Sequence, residues 1–376
     1  MKKILIVVSH PIQYHIPIWK AFNDNTNIDS EVLFHSNHGQ VNSFDKDFGI
    51  SFKWDIPLTK GYKFSIYRNL NLPFSQKISL GVLKKLATTK YDAVYFHGFS
   101  SLTNLLGMII AKLRSKKVIL RNISYVFEKP NRVKYWIICK LLKMVDLALY
   151  IGDLNKGYYQ FYKVPFHKLR YAPHLVDNDF FEQKYLLTKN NIQDLKKKYN
   201  IPQINNVFLF CGKFIDKKQP LLLQKAFNAI NPSNWSLLFV GDGKYKDELR
   251  AQMNDNTKII GFLNQSEIHE AYAIADVLVL PSQFGETWGL VVNEALNFGC
   301  ATLVSDRVGC FPELVIKSQT GLVFDHSSYE DLKNKLTEFV SISNTNLNKY
   351  KDNGIHNIKR FEPLILINKV TEFLNG

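Results

Sequence analysis

The sequence predicts an α/β fold made of two doubly wound, Rossmann-like units in tandem. Three observations carry this. Short apolar runs alternate with amphipathic stretches along the whole chain, the alternation breaks once between residues 178 and 205, and 376 residues are too many for one ordinary core. Strands alternating with helices call for parallel sheets covered on both faces, and such strands read as continuous apolar runs.

Taken in order, Ile4 to Val8 is the first run. Its lysine-flanked start looks like a leader, but it meets Ser9, His10 and Pro11 after five apolar residues. A secretory segment needs roughly 7–15 and a membrane helix about 20, so a buried strand is expected. A helical stretch around Ile16 to Phe22 follows, then EVLF, DAVYF, the helix-like SLTNLLGMIIAKL, KVILR and DLALYI. The polar KNNIQDLKKKYN and IPQINN read as a connector with one helix. The rhythm restarts with NVFLFC, PLLLQKAFNAI, WSLLFVG, KYKDELRAQM, TKII, EIHEAYAIA, DVLVLPS, LVVNEALNF and ATLVS. The expected boundaries are residues 1–177 for the first unit, 178–205 for the linker and 206–345 for the second unit. Residues 346–376 are read as C-terminal helices that cross back to the first unit. Open α/β sheets hold ligands beyond the carboxyl ends of their strands, so a ligand held by both units would lie in a central cleft that they face.

Hydrophobic residues make up 46% and charged residues 22%, the balance of a globular protein rather than a disordered or fibrous one. Cys139, Cys211, Cys300 and Cys310 have no CxxC spacing, which speaks against a zinc knuckle or a disulfide framework and fits a reducing compartment. The ten histidines include no HExxH, so no metal site is expected. The net charge of +15 is unevenly spread: residues 1–178 hold 26 basic against 11 acidic residues, and residues 179–376 hold 22 of each. The excess peaks between Lys112 and Lys143, where ten basic residues face Glu128 alone and Tyr125, Phe127, Tyr135 and Trp136 are interleaved. Such a block suits an anionic surface, lipid or nucleic acid, and a solvated basic face is the plain alternative. No recognised nucleic-acid motif accompanies it, so nucleic acid is not expected as a partner.

The chemistry concentrates in the second half. In FCGKFIDKKQP, Gly212 ends a strand and Lys213 and Lys218 share the next loop, where two ammonium groups suit a diphosphate. GETWGLVVNEALNFG carries Glu286 in a loop and Glu294 eight positions on in an apolar run with helical spacing. With a helix starting near Trp288, Glu294 falls roughly one and a half to two turns inside it. The two carboxylates then suit two ends of one extended ligand.

Pro281-Ser282, Glu286, Trp288-Gly289-Leu290 and Glu294-Ala295 resemble the Glu-x7-Glu region of retaining glycosyltransferases with the GT-B fold, family 4 (group 1) above all. Residues 208–218 resemble that family's Gly-Arg-Leu-x3-Lys, with Lys213 in the arginine place and Lys218 in the lysine place. ATLVSDRVGCFPELV is similar to the strand and Gly-Gly-x-x-Glu turn that follow, with Cys310 replacing the second glycine. YAPHLVD is similar to Pro-Asn-Gly-Val-Asp at the domain junction.

The resemblance implies that Glu286 bonds hydroxyls of a donor sugar and that Glu294 holds the ribose of a nucleotide-diphosphate sugar. Gly212 and the stretch Thr287, Trp288, Gly289 and Leu290 line the donor, and Lys213 and Lys218 balance charge on the leaving diphosphate. In YDAVYFHG, His97 aligns with the last histidine of the family's Asp-x-x-His-x-His and contacts the donor sugar near the reacting carbon, while Tyr95 replaces the first. The loop SHPIQYHIP lacks the family's Gly-Gly pair and offers Gln13, Tyr14 and His15 to the acceptor. Downstream, Arg121 and Asn122 end a strand on the same expected edge.

What is expected is therefore a cytoplasmic, metal-independent glycosyltransferase, without cofactor, at the inner face of the plasma membrane. Its acceptor is a glycan or lipid-linked acceptor of surface polysaccharide assembly. Asp177-Asn178-Asp179 spells the metal-binding DxD of the other glycosyltransferase fold but falls at the junction, where a turn is the better reading. The rivals are a nucleotide-sugar epimerase of the same fold, a basic nucleic-acid-binding protein and an inactive sugar-nucleotide-binding subunit.

Overall fold

In the computed structural model, residues 1–72 and 77–376 are described. They form two compact units, the first comprising Met1–Ser43, Pro57–His174 and Glu362–Gly376, the second Phe44–Ile56 and Leu175–Phe361.

The first unit holds a seven-stranded parallel sheet in the spatial order Leu169–Tyr171, Leu147–Tyr150, Lys117–Arg121, Ala93–His97, Lys2–Val8, Ile28–Phe34 and Phe64–Ile66. The second holds a six-stranded parallel sheet in the order Thr257–Ile260, Trp235–Val240, Asn206–Cys211, Val277–Leu280, Ala301–Ser305 and Gly321–Phe324. The apolar runs that announce these strands are buried on both faces: Ile4 to Val7 and Val277 to Leu280 are 0% exposed throughout. Burying such runs removes apolar surface from water at roughly 25 cal/mol per Å², which outweighs the preference of any short segment for another conformation.

Strand order reverses once in each sheet. In the first unit the reversal lies between Lys2–Val8 and Ala93–His97, and in the second between Asn206–Cys211 and Val277–Leu280. Loops leaving two neighbouring strands at such a point go to opposite faces and leave a crevice at the carboxyl edge.

The boundaries differ from the sequence expectation in three places. Residues 178–205 form two helices, Asn178–Thr188 and Ile192–Lys198, within the second unit. The segment Phe44–Ile56 belongs to the second unit because Phe48, Phe52 and Trp54 gather around Phe262, with ring centroids 5.2, 4.8 and 6.5 Å away. Asn264 Nδ2 also donates to the Lys53 carbonyl at 2.8 Å, a pairing that no local pattern in the sequence reveals. At the C-terminus, only Glu362–Gly376 is counted with the first unit, through the helix Pro363–Asn375.

Candidate active site

The second sheet's reversal point brings the two marked loops together. The loop after Asn206–Cys211 carries Lys213, Lys217 and Lys218, and the loop after Val277–Leu280 carries Ser282 and Glu286. They are joined by backbone and side chain: Gln283 N donates to the Lys217 carbonyl at 2.9 Å, and Gln219 Nε2 to Gln283 Oε1 at 2.7 Å. A glycine with no room for a side chain backs each of the two loops. A Cβ on Gly241, whose φ is 145°, would lie 1.9 Å from the Gly212 carbonyl oxygen, and one on Gly309 would lie 2.0 Å from that of Thr287. Gly309 N and Cys310 N in turn donate to the carbonyls of Glu286 and Trp288, each at 2.9 Å, and fix the loop that presents Glu286.

Glu286 and Lys218 form an ion pair with side chains only 12% and 16% exposed. Ser282 Oγ donates to the same carboxylate oxygen at 3.2 Å. Burial alone would raise the Glu286 pKa, but the Lys218 and Lys217 charges and the hydrogen bonds from Lys218 and Ser282 hold it below the usual carboxylate range. Lys217 is itself pushed down, by burial and by its two lysine neighbours, against the pull of Glu286.

Glu294 lies in the helix Leu290–Leu296, which begins two residues later than expected, so the carboxylate stands about one turn inside. It is 3% exposed and accepts a hydrogen bond from the Tyr272 hydroxyl at 2.6 Å. Trp288 is buried, with Nε1 donating to Asn293 Oδ1 at 2.8 Å, so its indole anchors the loop instead of facing a ligand. Gly212 lies at the strand end, a Cβ built on it falling 3.9 Å from Lys218 Cε. Thr287, half-buried, follows Glu286.

Lys213 is the site residue whose surroundings the sequence misses. Its ammonium is bound by Asp45 at 2.9 and 3.0 Å and by Asp47 at 3.1 Å, and stands 5.0 Å from the Phe48 ring centroid. Asp45 and Asp47 belong to the segment packed on Phe262, so their arrival depends on tertiary packing. Lys217 and Tyr272 also escape the sequence reading, and Ser282 enters it as part of the Pro-Ser motif without a role of its own. Lys217 has a faint signal in standing next to Lys218, and Tyr272, one helical residue among several, has none.

The first sheet's reversal point gathers a second set. Gln13 to His15 form a short 3-10 turn after the first strand, with Gln13 and His15 buried and Tyr14 half-buried. His97 ends its strand, and its ring centroid lies 4.2 Å from that of His15. Burial and the Arg121 charge push the His97 pKa down to about 3, so the ring is neutral at ordinary pH, with one N–H and one lone pair to offer. His15 is held well below its usual range, by burial first and then by His97 and Arg121.

As for metals, Asp177 caps the helix Asn178–Thr188 through a 3.0 Å bond from Phe180 N. Among the described residues, Asp306, Asp325 and His326 are the group whose ligand atoms lie within 4.8 Å of one another. There His326 Nδ1 already meets Asp306 Oδ1 at 2.8 Å, and the Arg307 guanidinium stands 3.3 Å from the same ring.

Two parallel sheets, each with a loop site at its reversal point, are the GT-B architecture of glycosyltransferases. Residues 191–356 match the family model of the glycosyl transferases group 1. The sulfoquinovosyl transferase SQD2 of Arabidopsis thaliana is 26% identical over 289 residues, covering 72% of this chain and 55% of that protein. The lipopolysaccharide 1,2-N-acetylglucosaminetransferase of Salmonella typhimurium is 33% identical over 166 residues, 40% of this chain and 42% of that one. The chain thus spans about half the length of these curated relatives. Among solved structures, Anabaena HepE in complex with UDP and glucose superposes with a TM-score of 0.74 at 17% identity, covering both chains fully, a likeness of fold.

A pH dependence follows from the ion pair. The Glu286 pKa is depressed on folding, so its contribution to stability is present above the unfolded value of about 4.3 and is lost as pH falls through the folded value. Lys218→Met leaves burial less opposed and raises that pKa. Urea unfolding should show the variant about 3 kcal/mol less stable at neutral pH, with the gap narrowing in acid, whereas a gap independent of pH would contradict the pairing.

Proposed function

We propose that the chain is a glycosyltransferase that uses a nucleotide-diphosphate sugar as donor, with retention of configuration, as the family 4 resemblance implies. The observation that carries this is the pairing of Lys218 with Glu286 at the reversal point of the second sheet, with Glu294 on the helix that follows. In the proposed mode Glu294 holds the ribose, Glu286 holds the sugar hydroxyls, and Lys218 faces the diphosphate, with Gly212 and Thr287 to Leu290 alongside. Lys213 joins it by exchanging Asp45 and Asp47 for phosphate oxygens. As the bond from the anomeric carbon to the phosphate oxygen breaks, negative charge collects on the diphosphate, and removing one fixed cation there costs on the order of 10²–10³ in rate. The acceptor oxygen attacks on the same face, and its proton passes to the leaving phosphate oxygen. Neutral His97 hydrogen-bonds the sugar near that carbon, with Gln13, Tyr14 and His15 toward the acceptor.

These cations supply the potential that a divalent ion gives elsewhere, so no metal is needed in this scheme. The acceptor is read as a glycan or lipid-linked acceptor in surface polysaccharide assembly, in line with the name of the Salmonella relative. An epimerase of the same fold is less favoured, because the lysine loop and the two spaced glutamates suit a departing diphosphate and a held sugar.

The test is calorimetry with UDP alongside a transfer assay. Glu286→Ala should lose transfer yet bind UDP, and Glu294→Ala should weaken UDP first, with transfer in the unaltered protein surviving excess chelator. Equal loss of UDP affinity in both variants would overturn the assignment.

We further propose that the basic face rests on anionic membrane, at the cytoplasmic side. No helix among the described residues is long and apolar enough to cross a membrane. The helix Arg132–Lys143 instead exposes Val133, Trp136 and Ile137 beside Lys140, whose ammonium lies 5.3 Å from the Trp136 ring centroid. Each such cation near an anionic surface contributes about 1 kcal/mol, and salt weakens it. Neutralising Arg132, Lys134, Lys140 and Lys143 together should release the protein from anionic vesicles in a sedimentation assay while UDP affinity stays unchanged. Failure of the unaltered protein to sediment with such vesicles at low salt would refute membrane docking.

A further inference from the structure

Among the described residues, the first sheet ends on a buried cation for which no ion pair with a carboxylate is found. Arg121 closes the strand Lys117–Arg121, in register with His97 on the neighbouring strand, and is 0% exposed. Its Nη2 donates to the Pro173 carbonyl at 2.7 Å, while Nε and Nη1 are also buried, with the neutral Tyr95 hydroxyl beside the guanidinium as a weak partner. The groups around it are Tyr95, Tyr159, His97, His15 and His174. None of these is an acid at ordinary pH. The Tyr95 pKa is pushed up to about 12 by burial, the guanidinium opposing the rise, and burial and Arg121 hold His174 well below its usual range. His15 Nδ1 and His97 Nδ1 are likewise buried without a partner.

Burying a guanidinium without a counter-ion costs stability, and one carbonyl satisfies one of its five N–H groups. A strut between Lys117–Arg121 and Pro173 could be built from a neutral donor, so the retained charge asks for an anion. The position suits a ligand: His15 and His97 meet at the reversal point of the sheet, where open α/β sheets bind, and a Cβ built on the next residue, Gly98, would meet nothing within 4 Å. The planar fork of a guanidinium matches the paired oxygens of a carboxylate or phosphate.

We propose that the carboxyl edge of the first sheet holds an oxyanion group, carboxylate or phosphate, carried by the acceptor, with Arg121 as counter-charge and His15 and His97 as hydrogen-bonding partners. The assignment of this anion to the acceptor rests on the glycosyltransferase reading, in which the donor's charge is met by lysines of the second unit. The acceptor class is then an acidic sugar or a phosphate-bearing glycan.

The experiment records imidazole resonances of the intact, isotopically labelled chain during titration with inorganic phosphate, D-glucuronate, D-glucose and UDP. Phosphate or glucuronate should shift the His15 signal together with that of His97, and glucose, which meets His97 alone in the proposed donor mode, should leave His15 unmoved. A response to phosphate alone selects a phosphorylated acceptor, and one to glucuronate alone an acidic sugar. Arg121→Gln should weaken the responding anion at least about tenfold, and Arg121→Lys, which keeps the charge and guards against a folding defect, should retain part of it. UDP binding in the same sample reports separately on the glycosyltransferase reading, because its site is assigned to the second unit. Silence of both histidines toward both anions, or an anion response undiminished in Arg121→Gln, would overturn the proposal.

Discussion

One largely buried ion pair ties together the two loops of the candidate site in the second unit. Lys218 and Glu286 come from loops that leave neighbouring strands, and each offsets the other's cost of leaving water. Holding them together requires the strands on either side of the reversal point to end in register, Gly241 and Gly309 to let backbones pass, and the turn at Gly309 and Cys310 to hold the Glu286 loop. A preformed pair of this kind can also redistribute. A diphosphate arriving near Lys218 competes with Glu286 for the ammonium, and a sugar hydroxyl arriving near Glu286 replaces the donor that the carboxylate loses. In the proposed donor mode, binding of the two ends of a nucleotide sugar would be coupled through this one charge pair.

The first unit applies the same topology to different chemistry. Its reversal point gathers His15 and His97, kept neutral by burial and by Arg121, where the second gathers charged lysine and glutamate. Neutral imidazoles beside a buried guanidinium favour ligands that bring acceptor oxygens and negative charge. The contrast follows from which residues end each central strand, since the two sheets are otherwise built alike.

Much of this was legible in the sequence because it is local. The runs Ile4 to Val8, NVFLFC and DVLVLPS are strands since each is apolar on both faces, and Glu286 and Glu294 are marked by their spacing around Gly289. What the sequence hid depends on distant pairing. Nothing near Asp45 or Asp47 announces that Phe48 and Phe52 will pack on Phe262 and deliver two carboxylates to Lys213. Tyr272 reaches Glu294 from a helix with no distinguishing pattern, and Arg121, which the sequence marks as a strand end, shows its burial only in the fold. The helix start at Leu290 instead of Trp288 is a boundary that cap geometry settles, with Gly289 in the left-handed region at φ 96°.

The most direct test of the pair as the organising element is a double-mutant cycle on UDP affinity, with Lys218→Met, Glu286→Gln and the double variant measured by calorimetry. If the two groups share one charge, Lys218→Met weakens UDP, and Glu286→Gln preserves or strengthens it only while Lys218 is present to be released. The coupling energy should then be about 1 kcal/mol or more. Additive effects, with Glu286→Gln acting the same whether or not Lys218 is there, would contradict the account.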